Sequence, residues 1–588
     1  MPPDTTAESF VGVVARRGRF MVAEPLFERG RRVTLDVRGR REVAIGQLAL
    51  ISTGRRGRGG RPRVVCALGR PDRARDVVEA LLVDRGHARR FGKPVEEAAE
   101  AAAHRQDEHK RRDLTSLPTL TIDPAEARDF DDAISVEPEG DGWRARVHIA
   151  DVAAHVPARS PIDAEALRRG NSVYVPGAVE PMLPEALSSD ACSLVPNVPR
   201  KAVTVEMVIN ARAEVLSTSF HRTLIRSDAR LTYDQVEHIF TGGERAPEQV
   251  SEPLAHARAL ARALREQRLA RGALGVETAE PDFEFDPEGN VVRAIDDVQT
   301  ESHQVIEELM ILANEQVAQE LTRRRKPLLY RIHEQPDPTA IEFLVSQLES
   351  LDVPTPPVPK HITPSATGEL VGAIGAKVVE HVGRTGHGRA ALTSLVLRSL
   401  KQAIYSNVNL GHAGLASAAY SHFTSPIRRY PDLVVHRALL AAIGADEHPP
   451  PAHELSEIGS QCSQTEREAM GVERDADDVC LGFLAQRILT EEGWDREFEG
   501  EVSGVIGGGA FVSFQLGGED AASCDGFLPG RMLRGEFFEL NEERTALVGR
   551  RTGKRLRLGD PITVRVQSVE PARGRVDLVP AAGRWEDS

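Results

Sequence analysis

The chain has 588 residues, too many for one ordinary hydrophobic core, so several domains are expected. Hydrophobic residues make up 41% and charged residues 28%, the balance of a soluble globular protein, and the longest apolar runs fall short of a membrane span. The net charge of −14 argues against a surface coated with nucleic acid, because phosphate binding rests on Lys and Arg, although a local basic channel can lie inside an acidic sum. The opening MPPDTTAESFVGVV lacks a basic region followed by an apolar stretch, so no secretory signal is expected. The cysteines Cys66, Cys192, Cys462, Cys480 and Cys524 are scattered and form no CxxC; this fits small buried residues in a reducing cytoplasm rather than a zinc site or disulfide framework.

In chain order, residues 8–70 are strand-like, with short β-branched runs broken by glycine, as in a small OB-type barrel. This stretch is dense in arginine (Arg16, Arg17, Arg19, Arg29, Arg31, Arg32, Arg38, Arg40, Arg41), and GRRGRGGRPR at 54–63 reads as a basic loop. Such a local excess suggests nucleic acid, or else a solvated arginine-rich face. Residues 74–112 read as a helical linker. Residues 116–440 form a long mixed α/β region, with strands expected at 118–123, 133–137, 143–149 and 202–209. Helices are expected there at 233–241, 250–270, 303–323 and 338–350. The Pro-rich LDVPTPPVPKHITPS is a loop, and 453–492 is helical again. From 496 to 580 short strands and Gly-rich turns return, a second candidate OB barrel with Phe511, Phe514 and Phe527 available for base stacking or for its core.

The stretch TIDPAEARDFDDAISVE sets Asp123, Asp129, Asp131 and Asp132 between two apolar strand segments. Adjacent residues of an extended strand point to opposite faces, so the chain must turn here to aim these carboxylates together. Oxygen donors without His or Cys select a hard cation, Mg²⁺ or Mn²⁺, over zinc. Magnesium usually waits for substrate phosphates, so the pattern is that of a two-metal phosphodiester hydrolase; an acidic surface turn is the plainer reading. Downstream, YSHFTSPIRRYPDLVVHRALL places Arg428 and Arg429 at the junction of a Ser425-Pro426 turn and a helix with Asp432 near its start. A guanidinium fixed there can fork onto a phosphate, or simply pair with a carboxylate. Glu307, on the amphipathic helix ESHQVIEELMILANEQVAQEL, can face a cleft or water.

Taken together and in order, TIDPAEARDFDDA, HIADVAAHV, NSVYVPGAVEPMLPEALSSDACSLVPN, IRSDARLTYDQV, HQVIEELMILANE, YRIHEQP, HFTSPIRRYPDLVVHRAL and VERDADD resemble the ribonuclease II / ribonuclease R family. The resemblance implies a multidomain α/β protein, a central α+β RNB catalytic domain flanked by β-barrel OB-fold RNA-binding domains. The implied boundaries are an N-terminal OB or cold-shock-like domain at 1–73, a helical linker at 74–115, the RNB domain with its C-terminal helices at 116–492, and a C-terminal OB domain of the ribosomal-protein kind at 493–588. It further implies processive 3′-to-5′ hydrolysis of single-stranded RNA to nucleoside 5′-monophosphates with a divalent metal, by a monomer in the cytoplasm. By motif position, Asp123, Asp129 and Asp132 match metal ligands, Asp131 the aspartate whose loss abolishes cleavage but not RNA binding, and Arg428 the contact to the scissile phosphate. Tyr174 matches the aromatic that stacks on the 3′-terminal base, Glu307 a carboxylate at the terminal nucleotides, and Glu473 a position lining the same cavity. Two departures stand out. A stacking aromatic of ribonuclease II aligns with Val276, within GALGVETAEPDF, and the short N-terminal region and absent Lys-rich tail give a layout nearer ribonuclease II. The alternative of another class is a catalytically silent RNA-binding regulator on the same fold; the complete aspartate set and Arg428 favour the enzyme.

Overall fold

The computed structural model describes residues 9–28, 30–36, 44–53, 62–87, 90–105, 109–273, 280–297, 299–357, 359, 367–518, 521–533 and 536–581. Val276, most of GRRGRGGRPR, and Arg29, Arg38, Arg40 and Arg41 lie outside them. The centre is a seven-stranded sheet whose neighbours run Ala229–Thr232, Leu120–Asp123, Asp132–Glu139, Gly142–Ala150, Pro199–Ile209, Val215–Arg226 and Arg112–Asp113. The pairing is antiparallel except at the two edges, where Ala229–Thr232 runs parallel to Leu120–Asp123 and Val215–Arg226 parallel to Arg112–Asp113. Val147, Ile149, Val203 and Val205 are wholly buried in it, as are Leu254, Leu260 and Leu309 of the helices Glu248–Ala270 and Glu301–Arg323 in the same core. That burial is the main reason these helices and strands hold.

The sheet also buries polar groups, each given partners. His148 bonds Ser135 at 3.1 Å and Thr204 at 2.8 Å. Asp151, from HIADVAAHV, takes Arg222 at 2.7 Å and Arg111 at 2.8 Å, and these cations hold its carboxyl well below the usual range even though burial alone would raise it. An aspartate in a recognisable motif is here a structural ion-pair partner rather than a site residue.

The linker expected at 74–112 is two helices, Ala74–Asp84 and Lys93–Ala103. They part where Gly86 takes φ of 85°, a conformation costly for any other residue. Only the first has a wide apolar face (Val77, Val78, Leu81, Leu82), and it packs into the second core of the molecule; the Ala/Glu-rich partner buries Ala99 and Ala102. The helix Leu455–Glu492 joins both cores, with Ile458 and Cys462 in one and Val472, Ala476 and Val479 in the other.

The two flanking β regions differ. At the C-terminus, Glu497–Ile506, Gly509–Gln515, Ser523–Pro529, Arg575–Pro580 and Pro561–Glu570 close into a barrel. At the N-terminus, where a barrel was also expected, the described strands form an open five-stranded sheet ordered Val33–Thr34, Phe20–Pro25, Ser9–Arg17, Leu48–Ser52, Arg63–Gly69. Of the phenylalanines expected to share a stacking face, Phe514 is core, packed on Phe498 with centroids 5.0 Å apart, because its position alternates inward. Phe511 is 38% exposed and pairs with Phe527 at 5.3 Å.

The cysteines remain separate thiols, four of them buried, as expected of core residues. Among the described residues no helix is long and apolar enough to cross a membrane.

Candidate active site

The antiparallel register that sets Leu120 opposite Ile134 brings the Asp123 end of one strand toward the Asp132 start of the next. The connection is pinned at Phe130. Its ring is buried, its N–H donates to Ser193 Oγ at 3.0 Å, and its carbonyl accepts from Leu194 N at 3.0 Å. Ser193 also donates to the Arg128 carbonyl at 2.8 Å. It follows a π-helical turn, Ala186–Ala191, of the kind that often marks functional sites. Asp131 is fixed twice over: its carbonyl accepts Ala150 N–H at 2.8 Å and its Oδ1 accepts Ile427 N–H at 2.8 Å.

The segment that supplies Ile427 is ordered by Asp432, which is fully buried and accepts Ser425 N–H at 2.8 Å. Arg429 forks onto the same carboxylate at 2.8 and 3.0 Å. Arg428 points the other way: its side chain is 48% exposed, with Nε 3.8 Å from Asp131 Oδ2. Two adjacent arginines that looked alike in sequence thus have different tasks, one in the fold and one facing the carboxylates.

Backbone pairing between Asn171 and Arg429, with Ser172 N–H on the Arg428 carbonyl at 2.9 Å, ties this segment to the hairpin Val173–Val175/Ala178–Glu180. Gly177, with φ of 73°, makes its turn. Tyr174 on that hairpin is 38% exposed; its hydroxyl donates to Asp129 Oδ2 at 2.8 Å and its N–H to Glu473 Oε1 at 2.9 Å. A cavity of about 150 Å³ lined by Tyr174, Tyr405, Arg428, Arg429, Glu466 and Glu473 opens beside them. Seven of the eight residues singled out from sequence therefore converge. Glu307 pairs with Arg268 at 3.2 Å, on the neighbouring helix.

Sequence reasoning passed over Tyr233, although it stood inside the quoted IRSDARLTYDQV. Its ring stacks on His303 with centroids 3.9 Å apart, and burial together with the charges of Asp132 and Asp123 pushes its phenol upward. A tyrosine just after a strand end, at the start of a capped helix, was the available signal.

Burial, then the neighbouring Asp132, raises the Asp123 carboxyl to about 7; burial also raises Asp132 to about 6 and Asp131 well above its ordinary value. Asp123 Oδ2 and Asp131 Oδ2 are buried without a hydrogen-bond partner. Orphaned carboxylate oxygens in a crowded acidic pocket fit an oxygen-loving cation. Among the described residues no group of three or more His, Cys, Asp or Glu side chains is placed to hold a metal ion by itself.

The model of the RNB domain matches residues 111–445, more than half of the sequence, and the chain belongs to this family. Escherichia coli (strain K12) ribonuclease R is 35% identical over 484 residues, an alignment that covers 80% of this chain and 57% of that protein. The chain thus spans just over half the length of this relative. The solved structure of Mycoplasma genitalium RNase R in complex with ribose methylated single-stranded RNA superposes with a TM-score of 0.85 at 26% identity, covering 97% of this chain and 89% of that one. Yeast Ssd1, a pseudonuclease, shares the fold with a TM-score of 0.66 at 18% identity, covering 92% of this chain and 68% of that one.

Proposed function

We propose that the chain is a hydrolytic, processive 3′-to-5′ exoribonuclease that degrades single-stranded RNA to nucleoside 5′-monophosphates, acting as a cytoplasmic monomer. The observation that carries this is the crowding of Asp123, Asp129, Asp131 and Asp132, with the half-exposed Arg428 guanidinium 3.8 Å from Asp131. The likeness to an RNase R solved with single-stranded RNA supports it. The fold alone does not require cleavage, since Ssd1, a pseudonuclease, shares it; the intact carboxylate set favours the enzyme.

Asp123, Asp129 and Asp132 would hold Mg²⁺, or Mn²⁺, which when bound supplies an activated water and stabilises the leaving 3′-oxygen. The residues do the rest. Arg428 neutralises the phosphate being attacked. Asp131, rigidly held through Ile427, presents its free Oδ2 to the same point. Tyr174 supplies a ring for the terminal base, Glu473 fixes that tyrosine's backbone, and Tyr233 lies near enough to Asp132 and Asp123 to feel their charge. Glu307 would reach the terminal nucleotides once RNA competes for its partner Arg268. Each cleavage leaves a new 3′ end that can slide into the same place, which gives processivity.

End-labelled single-stranded and duplex RNA incubated with Mg²⁺ and then with EDTA tests the reading. Mononucleotide product from single strands, abolished by EDTA, is expected; internal cuts or binding without cleavage would reject it. RNA affinity is also expected to fall steeply with salt despite the net charge of −14, as for a basic channel within an acidic shell; a flat response in filter binding would count against that channel. At the C-terminal barrel, Phe511→Ala is expected to weaken RNA binding by about 1–3 kcal/mol without unfolding the barrel. Phe514→Ala is expected instead to cost about 3–5 kcal/mol of stability. Affinity and thermal melting of the two variants separate the roles.

A further inference from the structure

The loop between Asp123 and Asp129 belongs to no helix or strand, so something must fix its span. Its far end is held by Ser193, as described. The near end is held by Arg230, in the strand Ala229–Thr232, which lies opposite Thr121 while Thr232 lies opposite Asp123. Arg230 Nη2 donates to the carbonyls of both Pro124, at 2.6 Å, and Ala125, at 2.8 Å. Its guanidinium also sits over the Phe130 ring, with Cζ 5.4 Å from the centroid. One side chain therefore touches the residue after Asp123, the next one, and the residue between Asp129 and Asp131. Its charge additionally offsets the carboxylate crowding at Asp123.

We propose that Arg230 is a positioning residue for the metal site: by clamping Pro124 and Ala125 against Phe130 it sets the separation of Asp123 from Asp129 and Asp132, and so sets the affinity for the divalent cation. This rests on the metal reading above. Groups that orient ligands without touching the metal commonly change its affinity by about 10–100-fold. Both bonds leave from one nitrogen, Nη2, so what lysine cannot reproduce is the guanidinium over the Phe130 ring, which ties the bridged carbonyls to the residue between Asp129 and Asp131.

The test is a Mn²⁺ titration of the full chain without RNA, followed by electron paramagnetic resonance, with Asp132→Asn defining the site-specific signal. Circular dichroism reports folding. Arg230→Gln is expected to bind Mn²⁺ about 10-fold or more weakly, Arg230→Lys to share most of that loss, and both to keep their RNA affinity in EDTA. Should Arg230→Gln not fold, Arg230→Lys carries the test. Unchanged Mn²⁺ affinity in a folded variant would overturn the proposal while leaving the metal reading intact, as would full recovery by lysine, which would reduce the role to charge. A Mn²⁺ signal in the unaltered chain that ignores Asp132→Asn would instead sink the metal reading, and the positioning role with it.

Discussion

Asp131→Asn is expected to lower the hydrolysis rate by at least roughly 10²-fold while RNA affinity stays nearly intact. The geometry makes the substitution unusually clean. Asn can keep its Oδ1 on the Ile427 N–H, so the turn before Arg428 is preserved. What it loses is the charge on Oδ2, the buried atom left without a hydrogen-bond partner and facing Arg428. Stability is not expected to suffer. Burial, and then the repulsion of Asp129 and Asp132, raises this carboxyl in the folded chain, so its ionisation near neutral pH works against folding. A group of this kind contributes its full stability below the unfolded-state value and loses it as pH rises through the folded-state value. In EDTA at neutral pH the variant should therefore melt no lower than the unaltered chain. Single-turnover rates, filter binding and melting curves check the three parts, and near-normal turnover would sink the role of Asp131. Asp131→Ala is a poorer probe, since it also strands the Ile427 amide at a cost of about 1–3 kcal/mol.

The neighbouring arginines should behave as opposites. Arg428→Ala is expected to cost about 10²–10³-fold in rate with little change in melting, because the side chain is half exposed and only loosely paired. Arg429→Ala is expected to destabilise the protein by about 3–5 kcal/mol, because it leaves the buried Asp432 carboxylate without its cation. Urea unfolding distinguishes them. At low temperature the folded fraction of Arg429→Ala should still cleave RNA well, whereas Arg428→Ala should stay about 10²–10³-fold slower. Normal turnover by Arg428→Ala would remove it from the chemistry, and an unaltered unfolding midpoint for Arg429→Ala would remove the buried ion pair from the fold.

Much of this was legible in the residues themselves. The strands flanking TIDPAEARDFDDA and the helices at 233–241, 250–270, 303–323 and 338–350 follow from apolar periodicity, and the structure has them within a few residues at their ends. The carboxylate set and its taste for a hard cation follow from side-chain chemistry, which is local. Other features were not local. Phe514 and Phe511 are indistinguishable by composition, and only the closure of the barrel turns one inward. Glu307 had the right motif, yet its placement beside Arg268 depends on how two helices pack. Tyr233 and Arg230 gained their meaning from the strand Ala229–Thr232 docking in parallel beside Leu120–Asp123, a pairing of segments about a hundred residues apart in sequence.

The sequence by itself determined the family, because motifs in a fixed order define one, whereas the four carboxylates between two strands would alone also have suited an acidic surface turn. The tertiary structure decided which of two adjacent arginines faces the carboxylates and what holds the aspartate loop in place. Those outcomes depend on contacts across the chain, Asp432 to Arg429, Ile427 to Asp131 and Arg230 to Pro124, whose energies exist only once burial has removed the competing water.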